Sequence, residues 1–260
     1  MRVVEWGGGA GVPLLCLPGL VRTSGDFAGV AARHGGDRRV VALDYAGRGG
    51  SAWAGSVARY APAAILRDVM DVCAAVHLHR AVVIGTSFGG LLAMGLGAAR
   101  PGLLAGVVLN DIGPEIGQEG AGRVRRFIGE DPALADLGAV VAHLRRMLPD
   151  LSLHGEGEWR EFAALTYAAG ADERWHPRWD TRIAEVAGTR LPDLWPLFGG
   201  LAAVPLLLVH GGRSTLLLAE TVARMRAARP DMAVARVPQS GHAPTLAEPE
   251  AVAALDAFLA

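Results

Sequence analysis

The chain of 260 residues contains no lysine; all 25 of its basic residues are arginine. That absence excludes a lysine Schiff base, and with it ordinary pyridoxal-phosphate chemistry. It also excludes a P-loop lysine and the strand lysine of protein kinases. A genomic bias toward Arg and Ala accounts for the absence, and the exclusions hold whatever its origin. A charge excess of either sign is missing too. The 25 basic residues face 26 acidic ones, for a formal net charge of −1, so nothing in the total draws the chain to nucleic acid or to an anionic membrane. Cysteine occurs twice, as Cys16 and Cys73, in apolar surroundings; the pair reads as reduced core thiols rather than a staple. No Cys/His cluster has zinc spacing, and neither metal nor cofactor is expected. No apolar run reaches 18 residues, the best (201–209) being broken by Pro205. The first six residues meet a glycine-rich stretch at 7–11 before a signal-peptide core could form. These readings predict a soluble, cytoplasmic protein with a small-molecule substrate and no membrane or nucleic-acid partner.

What is present is a large apolar inventory, 51% of residues, with 20% charged, enough for a real core and against disorder. Short runs rich in Val, Leu and Ile fall at 13–17, 39–43, 81–84, 106–109, 205–209 and 233–237. Runs without polar alternation suit strands buried on both faces. Between them lie helical patterns. Ile65, Val69, Val72, Cys73 and Val76 fall on one helical face, with Pro62 suited to the first turn. Residues 91–99 read as another helix, stopped before Pro101. The alternation predicts an α/β fold with a doubly wound, mostly parallel sheet flanked by helices. The rhythm changes between Gly113 and Gly199, where helical patterns continue without comparable strand runs. That stretch holds four of the six tryptophans (Trp159, Trp175, Trp179 and Trp195) and is broken up by Pro177, Pro192 and Pro196. The expected organisation is a core of residues 1–112 and 200–260 with a helical cap inserted at 113–199.

The segment Ala81-Val82-Val83-Ile84-Gly85-Thr86-Ser87-Phe88-Gly89-Gly90 is an apolar strand, then Gly-x-Ser-x-Gly, then a helix. A sharp strand-to-helix turn lifts a serine hydroxyl clear of the sheet, and the helix N-terminus beside it favours developing negative charge. Ser87 is therefore the candidate nucleophile. Its candidate base is His242, in the loop Pro238-Gln239-Ser240-Gly241-His242-Ala243-Pro244 that follows the last apolar run. His210 ends another strand and reads as structural. An oxyanion hole needs two amides: one from Phe88, the residue after the nucleophile, and one from the Pro18-Gly19-Leu20 loop, assigned to Leu20.

These motifs resemble those of the α/β-hydrolases, and the likeness covers nearly the whole chain. Gly-Thr-Ser-Phe-Gly-Gly is similar to the family's nucleophile elbow, and Leu17-Pro18-Gly19-Leu20 to its oxyanion loop. Asp44-Tyr45-Ala46-Gly47-Arg48-Gly49-Gly50-Ser51 resembles a family turn that usually carries arginine where Ala46 stands. The resemblance implies an eight-stranded, mostly parallel sheet with a helical cap after the sixth strand, where the tryptophan-rich stretch lies. It also implies an acid after the seventh strand, at a position that here reads Ser214-Thr215. A threonine cannot hold the imidazole tautomer as a carboxylate does. The substitute is Asp111, at the end of the sixth strand, with Glu115 or no acid at all as alternatives; Asp44 reads as a turn former.

The expected function is a serine hydrolase cleaving a carboxylic ester or lactone of an apolar or aromatic small molecule through an acyl-serine. The four cap tryptophans are candidate substrate contacts. Two rivals remain. One is a non-hydrolytic enzyme on the same fold (a cofactor-free oxygenase, lyase or cyclase). The other is a ligand-binding protein with a degenerate triad.

Overall fold

The structure is a computed structural model that describes residues 1–187 and 193–260; Pro192, one of the expected breaks in the insertion, lies outside them. From the N-terminus come β1 (Arg2–Leu17), α1 (Ala28–His34), β2 (Arg38–Asp44), α2 (Pro62–Ala75), β3 (Ala81–Thr86), α3 (Phe88–Ala99) and β4 (Leu104–Asn110). Then follow α4 (Gln118–Ile128), α5 (Leu137–Met147), α6 (Glu156–Thr166), the short strands β5 (Tyr167–Ala169) and β6 (Trp175–Pro177), α7 (Ile183–Ala187) and α8 (Trp195–Gly199). The chain closes with β7 (Leu206–Gly211), α9 (Ala219–Ala228), β8 (Ala233–Val237) and α10 (Pro249–Leu259).

The six apolar runs of the sequence become the six strands of one sheet, in the order β2-β1-β3-β4-β7-β8. Every pairing from β1 to β8 is parallel, and β2 pairs with β1 in antiparallel register from Arg2↔Asp44 to Trp6↔Val40. Among the described residues this sheet has six strands, where the family resemblance implies eight. Residues 2–17 form one bent strand, whose partners on β2 descend to Val40 at Trp6 and climb again from Leu14↔Val40 to Cys16↔Ala42. The bend falls in the glycine-rich stretch, where Gly7 has φ +74° and a Cβ would come within 2.1 Å of the Gly35 carbonyl oxygen.

Successive strand residues face opposite sides, and both sides are dry. Leu15, Leu17 and Val83 join one apolar cluster, with Ile65 and Val69 of α2 and Leu92 and Leu96 of α3. Leu14, Cys16, Val82 and Ile84 join the other, with Val30 of α1 and Leu255 of α10. That is why the runs of β1, β3, β4 and β7 carry no polar alternation; β8, at the sheet edge, is mostly exposed and buries only Val237, so its run does not fit the expectation of burial on both faces. Helix α2 begins at Pro62 in its first turn, and α3 begins at Phe88, three residues earlier than its periodicity alone suggests and directly behind Ser87.

Between β4 and β7 the chain builds a third apolar cluster from Phe127, Val140, Leu144, Trp159, Tyr167 and Trp179, which Val21 and Tyr60 of the earlier chain join. Its β5–β6 hairpin is antiparallel; strands of three residues leave too little pattern to be read beforehand. Among the described residues no helix is long and apolar enough to cross a membrane.

Candidate active site

Ser87 sits between the end of β3 and the first turn of α3 with φ 51° and ψ −116°. Such backbone costs on the order of 1–3 kcal/mol for a non-glycine residue and persists only where its surroundings enforce it. Here they do. Its own N–H donates to the Asn110 carbonyl at 2.9 Å, and its carbonyl accepts from the Gly90 N–H at 2.8 Å. The flanking glycines are required by close approach: a Cβ on Gly85 would come within 2.5 Å of the Gly89 carbonyl oxygen, and one on Gly89 within 1.9 Å of the Leu17 carbonyl oxygen.

The Ser87 Oγ lies 2.8 Å from His242 Nε2. The other ring nitrogen, Nδ1, lies 2.8 Å from Asp111 Oδ2. With the ring proton on Nδ1, the imidazole donates to Asp111 and is free to accept the serine proton at Nε2. Asp111 is fully buried, and the second carboxylate oxygen accepts from the Gly211 N–H at 2.8 Å. Its own N–H donates to the Val209 carbonyl at 2.8 Å, so the residue is clamped to β7 while belonging to the end of β4. A φ of 55° turns it out of the strand, a conformation that aspartate tolerates better than most residues.

The alternatives for the acid lie elsewhere. Glu115 accepts from Trp195 Nε1 at 2.9 Å and Thr221 Oγ1 at 3.1 Å and pairs with Arg224; the Trp195 hydrogen bond leads in holding its carboxyl below the usual carboxylate range. Thr215 shares with His242 the lining of a small cavity of about 60 Å³ but brings no carboxylate to it. Asp44 is fully buried and accepts from the N–H groups of Ser24 at 2.7 Å and Gly50 at 2.8 Å, tying two loops together. His210 Nε2 is 3.1 Å from the Leu217 carbonyl, inside the fold.

Leu20 lies in the loop after β1, and Phe88 opens α3. Among the described residues neither amide has a protein acceptor. Both Leu20 and Ser87 line a cavity of about 500 Å³ that also reaches His242. Its apolar walls include Phe27 from the core and Phe127, Leu148, Leu151 and Phe162 from the insertion.

The expected tryptophan contacts need correction: none of the four lines this cavity. Trp159 and Trp179 are buried within the insertion's own cluster, and Trp179 Nε1 donates to the Ile128 carbonyl at 2.9 Å. Trp175 packs in the β5–β6 hairpin, and Trp195 stands against Phe198 with its indole N–H on Glu115. Trp159, Trp175 and Trp179 pack residues 113–199 together, Trp195 packs against the main core, and phenylalanine and leucine face the cavity. Helical periodicity separates apolar from polar faces but does not say which apolar face meets a hollow.

Among the described residues no group of three or more His, Cys, Asp or Glu side chains is disposed to hold a metal ion.

The elbow, the buried acid and the parallel sheet define an α/β-hydrolase. A model of the alpha/beta hydrolase family matches residues 14–255, and the chain belongs to that family. It is 32% identical over 270 residues to the 3-hydroxybutyrate-oligomer hydrolase of Cupriavidus necator, across 99% of this chain and 92% of that one. A solved alpha/beta hydrolase from Novosphingobium aromaticivorans superposes with a TM-score of 0.93 at 38% identity, over 99% of this chain and 92% of the other. The structure of E-2-(acetamidomethylene)succinate hydrolase superposes with a TM-score of 0.80 at 25% identity, over 92% and 87% of the two chains.

Proposed function

We propose that the protein is a serine hydrolase of carboxylic esters, lactones included, working through an acyl-serine. The observation that carries this is the line Asp111–His242–Ser87, with both contacts at 2.8 Å, opening on a cavity of about 500 Å³. His242 takes the Ser87 proton as Oγ attacks the ester carbonyl. The amides of Leu20 and Phe88 receive the oxyanion, and His242 returns the proton to the departing alcohol. Water, deprotonated by the same imidazole, then releases the acid. Asp111 fixes the tautomer and faces the imidazolium while it exists.

Residues 113–199 act in this reading as the cap over the site, and their phenylalanine and leucine walls favour an apolar acyl or alcohol portion. The relative that hydrolyses 3-hydroxybutyrate oligomers supports an aliphatic hydroxyacid ester as the first substrate to try. The reading is of a cytoplasmic enzyme, in keeping with two free, buried thiols.

The test combines turnover and labelling. Wild-type protein hydrolyses p-nitrophenyl butyrate or a hydroxybutyrate dimer, and a fluorophosphonate labels it covalently; Ser87→Ala loses both. Turnover that survives Ser87→Ala would point instead to a lyase or oxygenase type of chemistry. Absent labelling with retained tight ligand binding would point to a receptor.

A further inference from the structure

The segment 44–51 at the end of β2, which resembles a family turn except that Ala46 stands where arginine is usual, contains an arginine with no exposed surface. Arg48 is wholly buried. Its Nε donates to the Leu20 carbonyl at 2.8 Å and its Nη1 to the Ala46 carbonyl at 2.6 Å, while Nη2 has no partner among the described residues. The guanidinium lies near the rings of Tyr45 and Tyr60, at 5.8 and 5.5 Å. Burying a guanidinium on carbonyl partners alone is expensive, and burial pushes its pKa down to about 10.

The hydrogen bonds show what that expense secures. Three consecutive carbonyls in the Pro18-Gly19-Leu20 loop are all occupied. The Pro18 carbonyl accepts from the Tyr45 hydroxyl at 3.1 Å. The Gly19 carbonyl accepts from the Arg22 N–H at 3.1 Å. The Leu20 carbonyl accepts from Arg48. Each peptide is planar, so the Arg22 N–H on the Gly19 carbonyl sets the direction of the Leu20 N–H, while Tyr45 and Arg48 hold the peptide planes on either side of it. The anchor is itself braced. The Gly49 N–H donates to the Arg178 carbonyl at 2.7 Å, and the Gly47 carbonyl accepts from the Asp180 N–H at 2.9 Å.

From this geometry we infer that Arg48 and Tyr45 are positioning residues that hold the Leu20 amide in line with the Phe88 amide as the second oxyanion donor. The inference rests on the serine-hydrolase reading above. Neither side chain touches substrate in this account; both act through the loop. An oxyanion donor contributes only where it is aimed before charge develops, so loss of the anchors lowers the rate of the chemical step and leaves ground-state binding in place.

The experiment measures kcat and KM on p-nitrophenyl butyrate and the Ki of an alkyl trifluoromethyl ketone, whose serine adduct carries the oxyanion. For Arg48→Met the expected result is a kcat lower by about 10- to 100-fold, KM within about two-fold of wild type, and a Ki raised by the same factor as kcat/KM falls. Tyr45→Phe, which removes one hydroxyl, gives a smaller effect of the same form and decides the matter alone if Arg48→Met does not fold. Unchanged kcat and Ki, or a rise in KM alone, overturns the inference. Activity that survives Ser87→Ala overturns the hydrolase reading instead, so the two failures are told apart.

Discussion

Asp111 is held at three points: its carboxylate by the imidazole of His242 and the Gly211 amide, and its backbone N–H by the Val209 carbonyl. If it acts as the acid, Asp111→Asn keeps the shape but presents an N–H where Nδ1–H must donate. The expected loss in kcat is about 10⁴-fold, or about 5.5 kcal/mol, read in kcat/KM on an ester that wild type hydrolyses. A value within a few-fold of wild type would remove Asp111 from the triad. At this scale the meeting of Ser87, His242 and Asp111 was legible in the sequence because each follows a readable apolar run, and parallel strands bring their carboxyl ends together. The anchor Arg48 was visible only as a letter in a motif, since spacing does not show which carbonyl a long side chain reaches. The tryptophans misled for a physical reason: a ring that packs an insertion and a ring that lines a hollow have the same periodicity.

Among the elements, the six strands of the sheet and helices α2 and α3 followed from short apolar runs, the weakest being Ala233–Val237 with Arg236 inside it, and from one-sided helical faces. The β5–β6 hairpin did not, being two strands of three residues, one ending in Pro177. Its fastening is polar. His176 lies between Asp131 and Asp172, with Nδ1 2.8 Å from the first and Nε2 3.0 Å from the second. Hydrogen bonding to Asp131, then to Asp172, raises the His176 pKa above its ordinary value. A raised folded-state pKa means the pairing contributes fully below the unfolded value of about 6.5 and fades as pH climbs through the folded one. Comparing wild type with His176→Gln by urea denaturation, the difference in midpoint is expected to be largest near pH 6 and to vanish toward pH 9. A difference independent of pH would mean that packing rather than charge holds the hairpin.

On the scale of the whole molecule, the insertion is not loosely attached. Its Trp179 backbone bridges to Arg48, Tyr60 donates to Asp180 at 2.7 Å, the Gly241 N–H donates to the Asp150 carbonyl at 2.7 Å, and the Gly117 N–H to the Leu216 carbonyl at 2.7 Å. Contacts spread this widely predict one cooperative transition. Tryptophan fluorescence, dominated by the four tryptophans of residues 113–199, is expected to change with the far-UV circular dichroism of the whole chain. Trp179→Ala, which empties a fully buried site, is expected to lower stability by about 3–5 kcal/mol and to shift both signals together. Separated transitions would show that the insertion unfolds by itself.

If Asp111 is the acid, its place at the end of β4 keeps most of the proposed chemistry within one stretch of chain. Ser87 and Asp111 stand only 24 residues apart by their numbers (111 − 87), on the two strands of a single strand-helix-strand unit, β3-α3-β4. Leu20, Tyr45, Arg48 and Phe88 precede residue 112 as well. On the proposed reading, residues 1–112 alone hold the nucleophile, the acid, both oxyanion amides and their anchors. On that reading only the base, His242, comes from beyond residues 113–199, while Arg178 and Asp180 of that stretch brace the turn that carries Arg48.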